Sequence, residues 1–412
     1  MIHASHRLWL IAVVLVFALG IALRTVPFAS FQNVGYDEAL YHAYTTQLLE
    51  RGLQGYPGIV EGYIEYQKTL KGSILPPMRF LYIGTSALWC RMSGVDPRAP
   101  GGDVLVYQAL RRVASLFSIL TLGVTFGLMW RLAGRGAALA VTALMVCAPT
   151  QIHRGQHALV DGFFAFWALL TLWLLWENLQ RPHRPALWIA YGTSLALLVM
   201  TKENAAFVFV AIVAILVANR WLRFGTVNRP LVLATLLGPV VGALGLVALA
   251  GGLENLFTCY LLSVSKNFTL DFAIQTGDGP WYRYLVDLML VSPLTLILAI
   301  GAVFQLDRER HRPQLFVALF IAASYLVMCN LKYGMNLRYA NMWDAPLRLL
   351  AFTQLGLLAD RWALKRPNLW LTLAVIGLCI YDLRQYWILA IQYDCFYELV
   401  PEVLLRALHI LK

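Results

Sequence analysis

The sequence predicts an all-α protein: a polytopic bundle of about eleven membrane-spanning helices, with interfacial helices in its first outer loop. Three observations carry that prediction. Of the 412 residues, 59% are hydrophobic and only 13% charged, about half the charged fraction of a soluble globular domain. Apolar runs of roughly 18–22 residues recur from end to end, each long enough to cross about 30 Å of hydrocarbon. Every second connection between them is short and basic, the pattern of a chain that passes back and forth through a bilayer.

The first apolar run covers 8–28. It is too long, and too poorly followed by small residues, to be a removable signal, so it reads as the first span. Further spans are expected at 107–130, 136–150, 159–177, 186–200, 204–220, 230–251, 284–305, 314–330, 340–359 and 369–387. Alternate connections then hold Arg131 and Arg135; Arg181 and Arg184; Arg220, Arg223 and Arg229; Arg308, Arg310 and Arg312; Arg361, Lys365 and Arg366. Arg7 falls on the same side. The positive-inside rule places that side, and the N-terminus, in the cytoplasm, and the compact loops fit a plasma membrane. The net charge of +11 is therefore a topology signal rather than a nucleic-acid footprint, with contact to anionic lipid as a consequence.

No linker, heptad array or repeat divides the chain, so one domain is expected over 1–412, without a soluble C-terminal domain. The six cysteines are scattered and form no C-x-x-C pair. They read as small buried hydrophobes, and a bridge among Cys90, Cys259 and Cys395 on the outer side stays open.

Two outer segments are too long to be mere connectors, 30–106 and 252–283. The first opens on Gly35-Tyr36-Asp37-Glu38 and continues through Glu61, Glu65, Lys68 and Lys71 to Pro76-Pro77 and an apolar stretch ending at Cys90. That stretch, about 12–14 residues, is too short to span and is expected as an interfacial helix. Leu40, Tyr44, Gln47 and Leu48 predict a helix whose first turn holds Asp37 and Glu38, where the helix dipole favours negative charge. The second segment mixes Phe257, Tyr260, Lys266, Asp271 and Trp281, and holds the turn signal Gly277-Asp278-Gly279-Pro280 ahead of the next span. Such aromatic and charged mixtures suit the headgroup level.

Adjacent carboxylates at a lipid boundary are costly and point to function, although an N-terminal helix cap is the bland reading of Asp37. His153, His157 and Asp161 recur at spacings of four, which would place them on one helix face. Imidazole with carboxylate is ordinary divalent-metal ligation, whereas interfacial contact with lipid or water is the plainer account of the histidines.

In order along the chain stand Asp37-Glu38 after the first span, Pro76-Pro77 with Tyr82 downstream, Ala109-Leu110-Arg111-Arg112, Asp161, Thr201-Lys202-Glu203 and Arg338-Tyr339. On this topology the set resembles the GT-C integral membrane glycosyltransferases, closest to the branch of protein O-mannosyltransferases and aminoarabinose transferases, over roughly the first 350 residues. The resemblance implies a GT-C fold, and transfer of a sugar from a polyprenyl-phosphate-linked donor to an acceptor protein, lipid or glycan, on the outer face, with inversion. It makes Asp37 the general base, with Glu38 orienting it or contributing to a cation site. Lys202, Arg338, Tyr339, Asp161, Arg154, Lys332 and Tyr41 are then expected around the substrates. A divalent ion, if used, would fall to Asp37, Glu38 and His157. One departure stands out: relatives often carry Lys, His or Glu before the Pro-Pro pair, and here Ser73, Ile74 and Leu75 precede it, with Lys71 displaced. The rival readings are a transporter or flippase of lipid-linked sugars, and an inactive homologue that only binds them. Against a transporter stand the missing internal repeat and the placing of acidic groups at outer span ends, with Asp287 the nearest exception.

Overall fold

The computed structural model describes residues 2–26 and 35–392, and among them every regular element is helical. α1 (Ile2–Thr25) is an apolar rod that turns Leu8, Ile11, Val14 and Leu15 outward. α2 (Tyr36–Arg51), α3 (Tyr56–Thr69) and α4 (Phe80–Met92) fill the first outer segment. They bury Tyr41, Tyr44, Tyr56, Tyr63 and Tyr82 in a core of their own. α4 is the short apolar helix that the sequence predicts there.

α5 (Gly102–Val146) is interrupted at Gly134, whose φ of 83° lies in the left-handed region open to glycine at little cost. The chain reverses there, since the Ser118 hydroxyl donates to the Gln151 carbonyl at 3.3 Å beyond the far end. The expected spans 107–130 and 136–150 are thus the arms of one helical hairpin. The second arm ends at Val146 and the chain resumes in α6 (Pro149–Gln156).

α7 (Val160–Gln180), α8 (Pro185–Val199), α9 (Ala205–Leu222) and α10 (Arg229–Ala250) follow. Proline occupies the first turn of α6, α8 and α10, where its missing N–H has no helical partner to lose. α8 and α10 pack backbone to backbone. A Cβ on Gly238 would lie 2.7 Å from the Gly192 carbonyl, and one on Gly242 2.4 Å from that of Ala196. Small residues four apart on both helices are what such close approach in a membrane requires.

α11 (Leu253–Asn267) and α12 (Asp271–Thr276) make the second outer segment. Lys266 Nζ donates to the Gln67 carbonyl at 2.5 Å and to those of Lys68 and Leu70, while Ser73 Oγ donates to the Ser263 carbonyl at 2.8 Å. The two outer segments are thereby stitched into one layer.

The expected span 284–305 is two helices, α13 (Arg283–Val291) and α14 (Pro293–Val303), because Pro293 cannot continue the amide ladder. After α15 (Arg312–Met328), a 3₁₀ turn (Leu337–Trp343) occupies the start of the expected span 340–359, so α16 begins only at Asp344 (Asp344–Arg361). α17 (Pro367–Tyr386) ends in a single π turn, Trp387–Gln392. Among the described residues, six helices are long and apolar enough to cross a membrane: α1, α5, α7, α9, α10 and α17 with its π turn; α8, α14 and α15 are shorter apolar helices.

Inside the bundle lies an ionic group that the sequence reading did not anticipate. The Arg348 guanidinium bridges Asp344 at 3.0 Å and Asp382 at 2.9 Å, and Gln151 donates to Asp344 at 2.7 Å. Close by, Arg24 donates to Ser118 at 2.8 Å and to the Met145 carbonyl at 3.0 Å. These contacts join α1, α5, α6, α16 and α17, and each buried charge is met by an opposite charge or a carbonyl, as burial demands. Acidic groups are therefore not confined to outer span ends. Cys90 and Cys259 are buried free thiols, so neither forms the bridge left open above; Cys395 lies outside the described residues.

Candidate active site

The two carboxylates that open α2 separate. Asp37 turns into a cavity of about 590 Å³ and pairs there with the Arg338 guanidinium. Glu38 turns into the protein and has no exposed side chain. It is the third residue of α2 and reaches back to accept from the Gly35 amide at 3.1 Å, an arrangement that satisfies one orphan N–H at a helix start. Arg111 of α5 grips it at 3.0 and 3.3 Å, the Ala158 amide donates at 2.5 Å, and His157 Nδ1 lies 3.6 Å away. Burial opposes ionisation of Glu38, but the hydrogen bonds from His157 and Arg111 outweigh it and hold the carboxyl at about 2. Glu38 is thus a fixed anion that sets the position of Asp37, its neighbour, and does not reach the cavity.

The remaining expected residues divide in the same way. Arg338 and Tyr339, on the 3₁₀ turn, line the cavity. Lys202 and Asp161 do not: they form a buried pair at 2.6 Å behind it, with Lys202 Nζ 4.1 Å from the centre of the Tyr339 ring. Burial draws the Lys202 ammonium down to about 8, with Asp161 opposing. Tyr339 is thereby backed by two cations, Arg338 standing 5.8 Å from its centre. Arg154 is buried in α6, and its charge acts with those of Lys202 and Arg338 on Asp161. Tyr41 is buried edge-on to Tyr82 and accepts from Arg79 at 2.7 Å, so it holds a cavity residue without facing the cavity. Lys332 is exposed and outside the lining.

The expected single face of His153, His157 and Asp161 is not formed. α6 ends at Gln156, His157 is extended, and Asp161 belongs to α7. Burial, with His157 and Arg154 beside it, keeps His153 well below the usual imidazole range. No group of three or more His, Cys, Asp or Glu could hold a metal among the described residues. Asp37 is engaged by Arg338, and the Glu38 oxygens by Arg111 and two amides. The expected set of Asp37, Glu38 and His157 therefore does not fit a shared ion.

Two cavity residues were given no role by the sequence reading: Arg79, which it did not name, and Glu203, which it named only within Thr201-Lys202-Glu203. Arg79 pairs with Glu203 through one guanidinium edge, Nε to Oε2 at 3.2 Å and Nη2 to Oε1, and both residues line the cavity with Asp37 and Arg338. A signal was present: Arg79 is the sole charged residue between Lys71 and Arg91, and a solitary charge in an apolar stretch asks for a partner. A second, apolar cavity of about 420 Å³ lies among α13, α14, α15 and α16, lined by Leu288, Leu296, Ile300, Leu319, Trp343 and Leu350.

The helical bundle shares its fold with solved membrane glycosyltransferases of the GT-C class. Residues 100–258 match the family model described as dolichyl-phosphate-mannose-protein mannosyltransferase. Among solved structures the chain is similar to ArnT from Cupriavidus metallidurans bound to undecaprenyl phosphate, with 16% identity and a TM-score of 0.54, covering 93% of this chain and 75% of that one. It is also similar to the archaeal oligosaccharyltransferase AglB from Archaeoglobus fulgidus with an inhibitory peptide and a dolichol-phosphate, with 12% identity, a TM-score of 0.57, and coverage of 94% and 56%. The oligosaccharyltransferase of that organism with Zn and sulfate matches at 13% identity and a TM-score of 0.59, covering 92% and 52%. The chain thus spans about half the length of the archaeal proteins. No curated protein matches it by sequence.

Proposed function

We propose that the protein is an inverting glycosyltransferase that moves a sugar from a polyprenyl-phosphate-linked donor to an acceptor hydroxyl on the outer face of the membrane. The observation that carries this reading is Asp37 on the wall of the cavity, partnered by Arg338 and flanked by Tyr339. The lipid phosphates bound in the similar structures, undecaprenyl phosphate and dolichol-phosphate, and the description of the matching family support the donor class.

In this reading Asp37 takes the proton of the acceptor hydroxyl as its oxygen attacks the anomeric carbon. The bond from that carbon to the phosphate oxygen breaks on the opposite side, inverting the centre, and the electron pair leaves with the lipid phosphate. A phosphate needs no general acid to depart, so one carboxylate suffices. Arg338 stabilises the charge that gathers on the leaving oxygens, with Lys202 and Asp161 holding Tyr339 behind it. Glu38 fixes the first turn of α2 from which Asp37 projects. The apolar cavity beside α14 suits part of an isoprenoid tail.

The test is transfer from radiolabelled polyprenyl-phosphate sugars by wild type and Asp37→Asn in membranes. Asparagine keeps the shape but accepts no proton. We expect transfer to fall by about 10²–10⁴ while donor binding persists. Undiminished transfer by the variant would remove Asp37 as base. Donor bound by wild type yet never transferred would favour the carrier reading.

A further inference from the structure

Asp37 and Arg338 lie 301 positions apart in the chain, and both are fixed from the same short helix, α6. At its C-terminal end α6 leads into His157 and Ala158, which hold Glu38: the Ala158 amide donates to it at 2.5 Å and His157 Nδ1 lies 3.6 Å away. Glu38 in turn fixes the first turn of α2, from which Asp37 projects. At its N-terminal end α6 reaches the 3₁₀ turn that carries Arg338. Gln151 Nε2 stands 2.8 Å from Asn341 Oδ1, 3.3 Å from the Asn341 carbonyl and 2.7 Å from Asp344 Oδ2. The Thr150 hydroxyl donates to the same carboxylate oxygen, and Arg348 holds the other at 3.0 Å. Gln151, Asn341 and Asp344 are each no more than 5% exposed, so a bond lost among them is not replaced by bulk water. Asn341 Nδ2 has no partner among the described residues, which leaves the orientation of that side chain to Gln151. α6 itself is pinned. Ser115 and Ser118 of α5 donate to its Gly155 and Gln151 carbonyls at 2.6 and 3.3 Å, and a Cβ on Gly155 would lie 2.9 Å from Ser118 Oγ.

We infer that α6 is the spacer that sets the relative placement of the elements carrying Asp37 and Arg338, and that Gln151 is the positioning residue at its Arg338 end. The inference rests on the glycosyltransferase reading and deepens it. The proposed reaction needs the Asp37 carboxylate at the acceptor hydroxyl and the Arg338 guanidinium at the leaving oxygens in the same instant. Their relative placement therefore enters the transition state, where a displacement of about 1 Å can cost about 10²-fold in rate. Gln151 does not line the cavity and acts through the turn. The opposite end of that turn has its own local tie, since the Asn336 side chain accepts from the Arg338 amide at 2.9 Å. That bond shapes the turn but joins it to nothing else, whereas Gln151 joins it to the helix that also fixes Glu38.

The experiment is a double-mutant cycle on the full chain in nanodiscs, with radiolabelled polyprenyl-phosphate sugars as donors, reading kcat, KM and melting temperature. Methionine keeps the length of Gln151 but donates no hydrogen bond. Gln151→Met should lower kcat about tenfold and change KM for the donor by less than about twofold, as expected when an interaction is weakened only in the transition state. In an Arg338→Gln background the same substitution should lower kcat by less than about twofold, because the group it positions is gone. Its effect on melting temperature should be the same in both backgrounds, so the loss of rate is separated from any loss of stability. Asn341→Leu breaks the contact at the turn while leaving the bond from Gln151 to Asp344, and it carries the test if Gln151→Met does not purify folded. Equal losses of kcat in the two backgrounds would overturn the positioning role and leave the glycosyltransferase reading standing. A raised KM with unchanged kcat would overturn it as well. Wild type that binds the donors and transfers none of them would overturn the glycosyltransferase reading and the inference with it.

Discussion

Glu38 accepts from two backbone amides and from Arg111, so its charge joins α2 to α5 and to the turn before α7. Its folded-state value of about 2 lies below the 4.5 of an ordinary glutamate. A depressed carboxyl contributes stability that is present above the unfolded value and is lost as the proton returns. That contribution should therefore vanish between about pH 4.5 and about pH 2. Removing one member of a buried ion pair costs about 3–5 kcal/mol. Glu38→Gln should accordingly lower the melting temperature at pH 7, and the gap from wild type should close as pH falls through that window. A gap constant with pH would show that the carboxylate charge does not carry the contact. Asp37 was legible as a candidate because a carboxylate pair is costly to hold at a lipid boundary, although a helix cap was its plainer use and is the one Glu38 serves. The separation of the pair was not legible, since it depends on Arg111, 73 positions away, and on the Ala158 amide, 120 away. Lys202 and Asp161 could each be singled out as charges at span ends, but their mutual burial could not, because no local spacing encodes a contact across 41 residues.

Among the helices, the seam between α8 and α10 depends on absent side chains. A leucine at Gly242 would have to occupy space already held by the Ala196 carbonyl at 2.4 Å, and backbone yields less readily than a side chain. Overpacking of this kind costs about 1–3 kcal/mol. Gly242→Leu should therefore lower the melting temperature in detergent and the folded yield, whereas Gly123→Leu, with open space around its Cβ position, should change both little. Equal effects would place the fault in insertion rather than in packing. Helix existence and order were readable from apolar runs and basic connections. The break at Ser292 and the delayed start of α16 were not read, because apolar composition continues through both while Pro293 and the turn at Leu337–Trp343 interrupt the ladder. Asp344, Arg348 and Asp382 were likewise absorbed into runs taken as uniformly apolar, though charges inside such runs were the available sign.

For the molecule as a whole, the placing of the arginines predicts an orientation: a cytoplasmic N-terminus would put Lys68 of α3 outside and Arg310, between α14 and α15, in the cytoplasm. A cysteine replacing Lys68 should react with a membrane-impermeant maleimide on intact cells, above the label taken by native cysteines. One replacing Arg310 should react only after permeabilisation. The reverse pattern would invert the topology and with it the side on which transfer is proposed. The contacts that build the cavity also differ in the length of chain they enclose. Glu38 meets Arg111 across 73 residues, Arg79 meets Glu203 across 124, and Asp37 meets Arg338 across 301. At a synthesis rate of roughly 5–20 residues per second, the last of these partners emerges about 15–60 s after the first. Glu38 is thus anchored early, while Asp37 waits for its arginine until 301 further residues have been made, and the site acquires its charges one long interval after another.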